Sequence, residues 1–199
     1  MRRRCYHRRV SRPVAGRIKG TGIIGIVRGL RAMRDQALPL LAENLRHYLD
    51  ERVIVAAWYP ETDFLALAEV LMSIMKGSSW ERAGTVAAKE ALTTVYRNVI
   101  IDGNLPETAK RMRVNWRNYH DTGDLNVDTE PSLVRVKVER YCMVSTDLCR
   151  LNQAYFATLL SFAGATIVSQ QKLQCTARGD PLCVWEFGWR PGPRPTKGP

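Results

Sequence analysis

The chain has 199 residues and no run of about 18 apolar residues, so it offers no membrane-spanning helix. Near the start, GTGIIGIVRGLRAMR is interrupted by Arg28, Arg31 and Arg34, which leaves no continuous apolar core for an export signal. Histidine is scarce. His7, His47 and His120 are the whole set, and none lies in a zinc-protease spacing. There is no nucleophile elbow and no Walker A loop. The acids are scattered, without a pair that sequence places across a cleft. With these constellations missing, no enzyme is expected.

Acid is missing from both ends. Residues 1–19 carry eight basic side chains and no acid, and residues 188–199 carry three basic side chains and no acid. The body between them holds nineteen bases and nineteen acids, so the net charge of +11 belongs to the ends. A nucleic-acid-binding body would carry its basic face on the fold itself. The expected organisation is a basic, disordered arm over 1–19, one domain over 20–187, and a Pro/Gly-rich disordered tail over 188–199. The arm would give weak, salt-sensitive and nonspecific attraction to anions. Five cysteines, an odd number, with no export signal point to a reducing cytoplasm and mostly free thiols.

What is present is helical first and extended later. Ile23, Ile26, Val27, Leu30 and Met33 recur at helical spacing. A second helix is expected near Pro39, burying Leu41, Leu45, Tyr48 and Leu49. Thr62 or Asp63 is the predicted cap of the next, and Ser78 with Glu81 forms a capping box for a fourth. A fifth starts at Asn104. The period then changes to two. In SLVRVKVERYC, Val134, Val136 and Val138 alternate with charged residues, and GDLNV (123–127) is a pairing partner across DTEP. A helix capped by Thr146 and stopped at Gly164 follows, then two strands around ARGDP. The order, N-terminal helices followed by β-β-α-β-β, predicts an α+β fold with a small antiparallel sheet packed against helices.

Gly20-x-Gly22-x-x-Gly25 matches a dinucleotide fingerprint in letters only, because a basic arm precedes it and no βαβ unit follows. Gly22, Gly25 and Gly29 instead share one helical face, which suits close packing within the chain or in a homodimer. In CTARGDPLCVWEF the hairpin register sets Cys175 opposite Cys183, near enough to share a metal. Cys149, one turn into the preceding helix, adds a third thiol. Three thiols need a fourth ligand for a closed zinc site, whereas thiols packed as small hydrophobes need nothing more.

Cys175, Gly179, Asp180, Cys183 and Phe187, following a helix that ends in Ala163-Gly164, resemble the C-terminal signature of the 4-vinyl reductase domain. That superfamily includes haem-NO-binding domains and Bet3-like subunits of the TRAPP trafficking complex. The longer run KGTGIIGIVRGLRAMR…WYPETDF…RVKVERYC…GDPLCVWEF is similar to an uncharacterised family expanded in myxobacteria. The resemblance covers residues 17–187. It implies dimerisation through N-terminal helices and a pocket for a small hydrophobic or aromatic ligand, with Tyr141, Phe156, Trp185 and Phe187 as candidate ligand-binding residues. It also implies zinc held by three cysteines and a glutamate. The cysteines match Cys149, Cys175 and Cys183, but the glutamate position is Lys172. Haem is not expected: the Tyr-x-Ser-x-Arg propionate clamp is absent and no histidine matches the axial ligand. The function these features imply is a non-catalytic, cytoplasmic sensory or regulatory domain. The alternative is a protein–protein adaptor resembling the trafficking subunits.

Overall fold

The computed structural model describes residues 16–94 and 96–192. Most of the basic arm and of the C-terminal tail therefore lies outside the described residues. The chain divides into two compact units. One contains the described residues up to Ser79 with Arg117–Gly123 and Arg140–Met143. The other contains Trp80–Trp116, Asp124–Glu139 and the described residues from Val144 onward.

In the first unit, β1 (Arg17–Lys19) pairs antiparallel with β2 (Trp58–Pro60), Ile18 opposite Tyr59. The strand β1 belongs to the segment that sequence assigns to a disordered arm. Its backbone explains the difference. The Arg17 carbonyl accepts from Asp121 N–H, and the Gly16 carbonyl accepts from Glu61 N–H. Helix α1 (Gly20–Ala32) buries Ile23, Val27 and Leu30, the stripe that periodicity predicts, and packs against α3 (Glu61–Ile74). A methyl group built on Gly29 would stand 3.0 Å from Leu71 Cδ1, so this glycine serves packing within the chain. A four-residue helix, α2 (Arg34–Ala37), follows α1. The helix expected near Pro39 is a 3₁₀ segment, Glu43–Leu49, although Leu41, Leu45, Tyr48 and Leu49 are all buried as predicted. Helix α3 starts one residue before the predicted caps and has no side-chain cap bond.

The second unit holds α4 (Trp80–Thr93), α5 from Leu105 (Leu105–Tyr119 in full) and α6 (Thr146–Phe162), together with a four-stranded antiparallel sheet. Gly84 lets α4 approach α6 so closely that a methyl group there would strike the Leu151 carbonyl. Asn104 Oδ1 accepts from Glu107 N–H at 3.0 Å, a side-chain cap that starts α5 as the sequence predicts. The cap of α6 is Ser145, whose hydroxyl oxygen accepts from Leu148 N–H at 3.3 Å, one residue earlier than predicted.

The sheet order is β3 (Asp124–Glu130), β4 (Leu133–Glu139), β6 (Leu182–Pro191), β5 (Ala165–Gln174). Strand β6 runs past Phe187, the predicted end of the domain, to Pro191. In the β4–β6 register, Val134 faces Phe187, Val136 faces Trp185 and Val138 faces Cys183. All six are buried. The intervening pair, Arg135 and Glu186, forms an ion pair at 2.5 Å on the opposite face. Strict alternation therefore decides which side chains enter the core, and each fully buried valine or aromatic contributes roughly 1.5–3 kcal/mol. The α+β class and its small antiparallel sheet packed on helices agree with the sequence reading.

Candidate functional site

Two clusters concentrate chemistry, one in each unit. In the second unit, α6 supplies Cys149, the end of β5 leads into Cys175, and β6 supplies Cys183. The Cys149 sulfur lies 3.5 Å from that of Cys175 and 3.6 Å from that of Cys183. All three ligand atoms lie within 4.8 Å of one another, and the three thiols are free. Strand alternation puts Cys183 inward beside Trp185. The short turn Thr176–Arg178, ended by Gly179 at φ 92°, brings the two strands back together. Asp180 stabilises that turn, since its carboxylate accepts from Cys175 N–H at 2.6 Å. The cysteine cluster predicted from sequence is thus assembled. Cys142 lies outside it and is disulfide-bonded, unlike these three.

The surroundings of the thiols are unequal. Cys183 is pushed down to about 4, first by its hydrogen bond with Cys149 and also by Thr176 and the charge of Lys172, against the opposing effect of burial. Cys149 is raised, first by the same bond to Cys183 and then by burial. Lys172 stands opposite Trp185 in the β5–β6 register, with its Nζ 3.1 Å from the centre of the indole ring. That Nζ is buried and has no hydrogen-bond partner. On the other side of the cluster, Trp185 Nε1 donates to the Cys149 carbonyl at 3.0 Å. Sulfurs on a tetrahedral zinc would stand about 3.8 Å apart, close to the spacing found. The fourth ligand is the point of misfit. At the position where the resemblance wants a carboxylate, this chain places an ammonium, which has no lone pair to donate.

The second cluster, in the first unit, was not predicted. Glu61 is 2% exposed. Its carboxylate accepts from Thr122 Oγ1 at 3.2 Å and stands 3.4 Å from His120 Nδ1. The Tyr141 hydroxyl is 3.3 Å from the same ring nitrogen, and the two rings meet edge to face at 5.3 Å. Glu61 opens α3, His120 follows α5 and Tyr141 follows β4. Separations of about 60 and 20 residues carry no local sequence signal, which is why the cluster escapes a motif search.

The four candidate ligand-binding residues are divided between the units. Phe156, Trp185 and Phe187 sit in the core of the second unit, at 3%, 1% and 0% exposure, with Phe156 edge-on to Trp185 at 5.4 Å. Tyr141 belongs to the first unit. An open depression of about 430 Å³ lies over the 3₁₀ turn Arg97–Val99 and α5, between Tyr96, Lys110 and Arg111. None of the four lines it.

No family model and no curated protein sequence matches the chain. Solved structures do share its fold. An oxygen-binding H-NOX domain related to soluble guanylate cyclases is 11% identical at a TM-score of 0.62, covering 91% of this chain and 100% of that one. An H-NOX protein from S. oneidensis in the Fe(II)NO state is 11% identical at 0.62, covering 87% and 99%. A structure titled for heme redox potential and porphyrin distortion is 10% identical at 0.60, covering 86% and 99%.

These neighbours correct two expectations. The fold is that of H-NOX domains, and nothing supports the 4-vinyl reductase or Bet3-like assignment. Setting haem aside is likewise overturned, since the structures that share the fold are those of haem domains. The missing clamp motif misled because sequence motifs are a narrower test than the fold. Among the described residues, His120 offers an imidazole of the kind a haem iron takes as ligand. Metal-bound imidazoles usually hold a carboxylate, carbonyl or water on the other ring nitrogen, and Glu61 Oε1 stands 3.4 Å from His120 Nδ1.

Proposed function

We propose that this chain is a non-catalytic sensory domain that binds a small ligand, with haem as the first ligand to test. The observation that carries the reading is the shared fold, which spans about nine-tenths of the chain and the whole of the oxygen-binding neighbour. His120 would hold the iron, with Glu61 and Tyr141 fixing the imidazole's orientation and tautomer. A haem held there would supply an iron centre able to bind a diatomic gas. The residues themselves would orient the imidazole through Glu61 and keep a buried carboxylate satisfied through Thr122. The domain would act as a homodimer through its N-terminal helices and would pass its signal to a partner protein.

Titration of the purified protein with haem is the direct test. The expected outcome is a saturable Soret band at one haem per chain, shifted by nitric oxide or carbon monoxide and lost in His120→Ala. Without a Soret band the haem reading fails. A melting shift with a panel of apolar aromatic compounds would then keep the sensory reading with another ligand, and the absence of any shift would sink that as well. Native mass spectrometry tests the dimer in the same preparation.

A further inference from the structure

Where the basic arm enters the fold, the first unit holds two apolar side chains in water. Ile54 and Val55 are adjacent in sequence and are 57% and 49% exposed. A single exposed aliphatic residue is ordinary, because much of any protein surface is apolar. This pair is held outward by a braced turn. Val53 beside it is buried, and Ile54 N–H donates to the Tyr59 hydroxyl at 2.8 Å. The Ile54 carbonyl accepts from Ala57 N–H at 3.0 Å and the Val55 carbonyl from Thr21 N–H at 3.2 Å. Gly20 lets the turn lie against the start of α1, since a methyl group there would strike the Ile54 carbonyl. The backbone under the two side chains is therefore fixed, and neither side chain is spent on the core.

The same edge is aromatic and basic. Trp58 is half-buried and faces Lys19 in the β1–β2 register. The Lys19 amine donates to the Ala56 carbonyl at 2.9 Å and stands 4.1 Å from a Trp58 ring centre, with the Arg17 guanidinium 5.7 Å from it. The acids around the turn are largely matched. Asp121 pairs with Arg17 at 2.8 Å and Asp50 with Arg34 at 2.9 Å, while Glu51 and Arg52 are exposed side by side. Residues 1–15, which lead into β1 through Gly16, add six arginines and no acid. An indole among cations, next to aliphatic side chains in water, is the composition that suits the boundary between lipid headgroups and acyl chains.

We propose that this edge, Ile54, Val55 and Trp58 with Lys19 and the arm that enters at Gly16, docks the domain on an anionic bilayer surface. A bilayer supplies a partner for each part. Headgroup phosphates take the arginines of the arm, which need no fixed geometry because the charge is spread over a plane. The layer beneath the headgroups takes Ile54 and Val55 out of water, with the Trp58 ring and the Lys19 amine at headgroup level. Each contact alone is marginal. Both act on one surface, so the first raises the effective concentration for the second. A nucleic acid would satisfy the arm but offers no apolar layer for Ile54 and Val55.

The test uses the full chain and vesicles of phosphatidylcholine, alone or mixed with phosphatidylglycerol. The protein should sediment with the mixed vesicles, stay in solution with the neutral ones, and release as salt is raised. Lipids brominated near the headgroup end of the acyl chain should quench its tryptophan fluorescence, and Trp58→Phe should bind with that quenching lost. Ile54→Asp with Val55→Asp, the arm intact, should bind about tenfold more weakly. Replacing the arginines of residues 1–15 by glutamine should cost more than about tenfold. A wild type that does not bind the mixed vesicles would overturn the proposal, and capture of a duplex oligonucleotide in their place would assign the arm to nucleic acid. Vesicle binding without quenching, quenching that persists in Trp58→Phe, or full binding by the Ile54 and Val55 double variant would also overturn it, leaving the arm a general polycation. The wild-type quenching needs no variant to fold, and none of these readouts depends on haem.

Discussion

The two units bury polar chemistry in opposite ways. In the first, Glu61 is enclosed with oxygen and nitrogen partners on every side that the structure records, Thr122 and His120 directly and Tyr141 through the imidazole. In the second, Lys172 is enclosed against an aromatic face, with no hydrogen-bond partner for its Nζ. A carboxylate satisfied by hydrogen bonds is a structural solution, stable because each group closes another's valence. A buried ammonium beside thiols is a less complete solution. The face of the Trp185 ring offsets part of the cost of burying it. The comparison separates a cluster whose polar groups satisfy one another from one that leaves a buried amine against an aromatic face.

The largest effect tests what the second solution rests on. Trp185 is 1% exposed, is packed by Phe156 and carries Lys172 on its ring. Trp185→Ala should cost about 3–5 kcal/mol, read by urea unfolding, because it opens a cavity and strips the lysine of its ring. A cost under about 1 kcal/mol would mean that the second unit's core is not organised around this residue. Next in size is Glu61→Leu. It removes the acceptor that Thr122 and His120 share, and should cost about 1–3 kcal/mol by the same measurement. If Glu61→Leu were neutral, the first cluster would not be held together by its hydrogen bonds and the contrast would collapse.

How much of this could be read from the letters depends on the range of the interaction. The alternation of Val134, Val136 and Val138, and of Cys183, Trp185 and Phe187, is a period-two signal within seven residues, so both the strands and their buried faces were legible. The Cys175–Cys183 hairpin was legible for the same reason, because a glycine and an aspartate fix its turn locally. Cys149 is brought to it by the packing of α6, and was placed there only by one turn of helical arithmetic. Lys172 was noticed as a departure from a pattern, but its burial against Trp185 is a property of the paired strands and could not be read from a single letter. The Glu61 cluster joins residues about 60 and 20 positions apart and left no trace. The start of β1 was missed because its partners, the segments at Trp58–Pro60 and Asp121, are also distant. Haem was set aside on the absence of a motif, whereas the fold is recognised over nearly the whole chain.

A smaller effect sharpens the comparison from inside the first unit, at a second polar pair. Tyr48 is 3% exposed and its hydroxyl donates to Asp63 Oδ2 at 2.8 Å. Burial, and after it that bond, hold the phenol protonated well above its ordinary range. The raised value means that the fold favours the protonated phenol. Its contribution is therefore complete below the unfolded value near 10 and is lost as pH rises beyond it. Tyr48→Phe removes the donor and leaves Asp63 to water, at a cost of about 1 kcal/mol near neutrality. The wild type should lose stability between about pH 10 and the alkaline limit, and Tyr48→Phe should lose less over the same interval. Parallel curves for the two proteins would show that the Tyr48–Asp63 bond is not a closed structural pair of the kind that Glu61 represents.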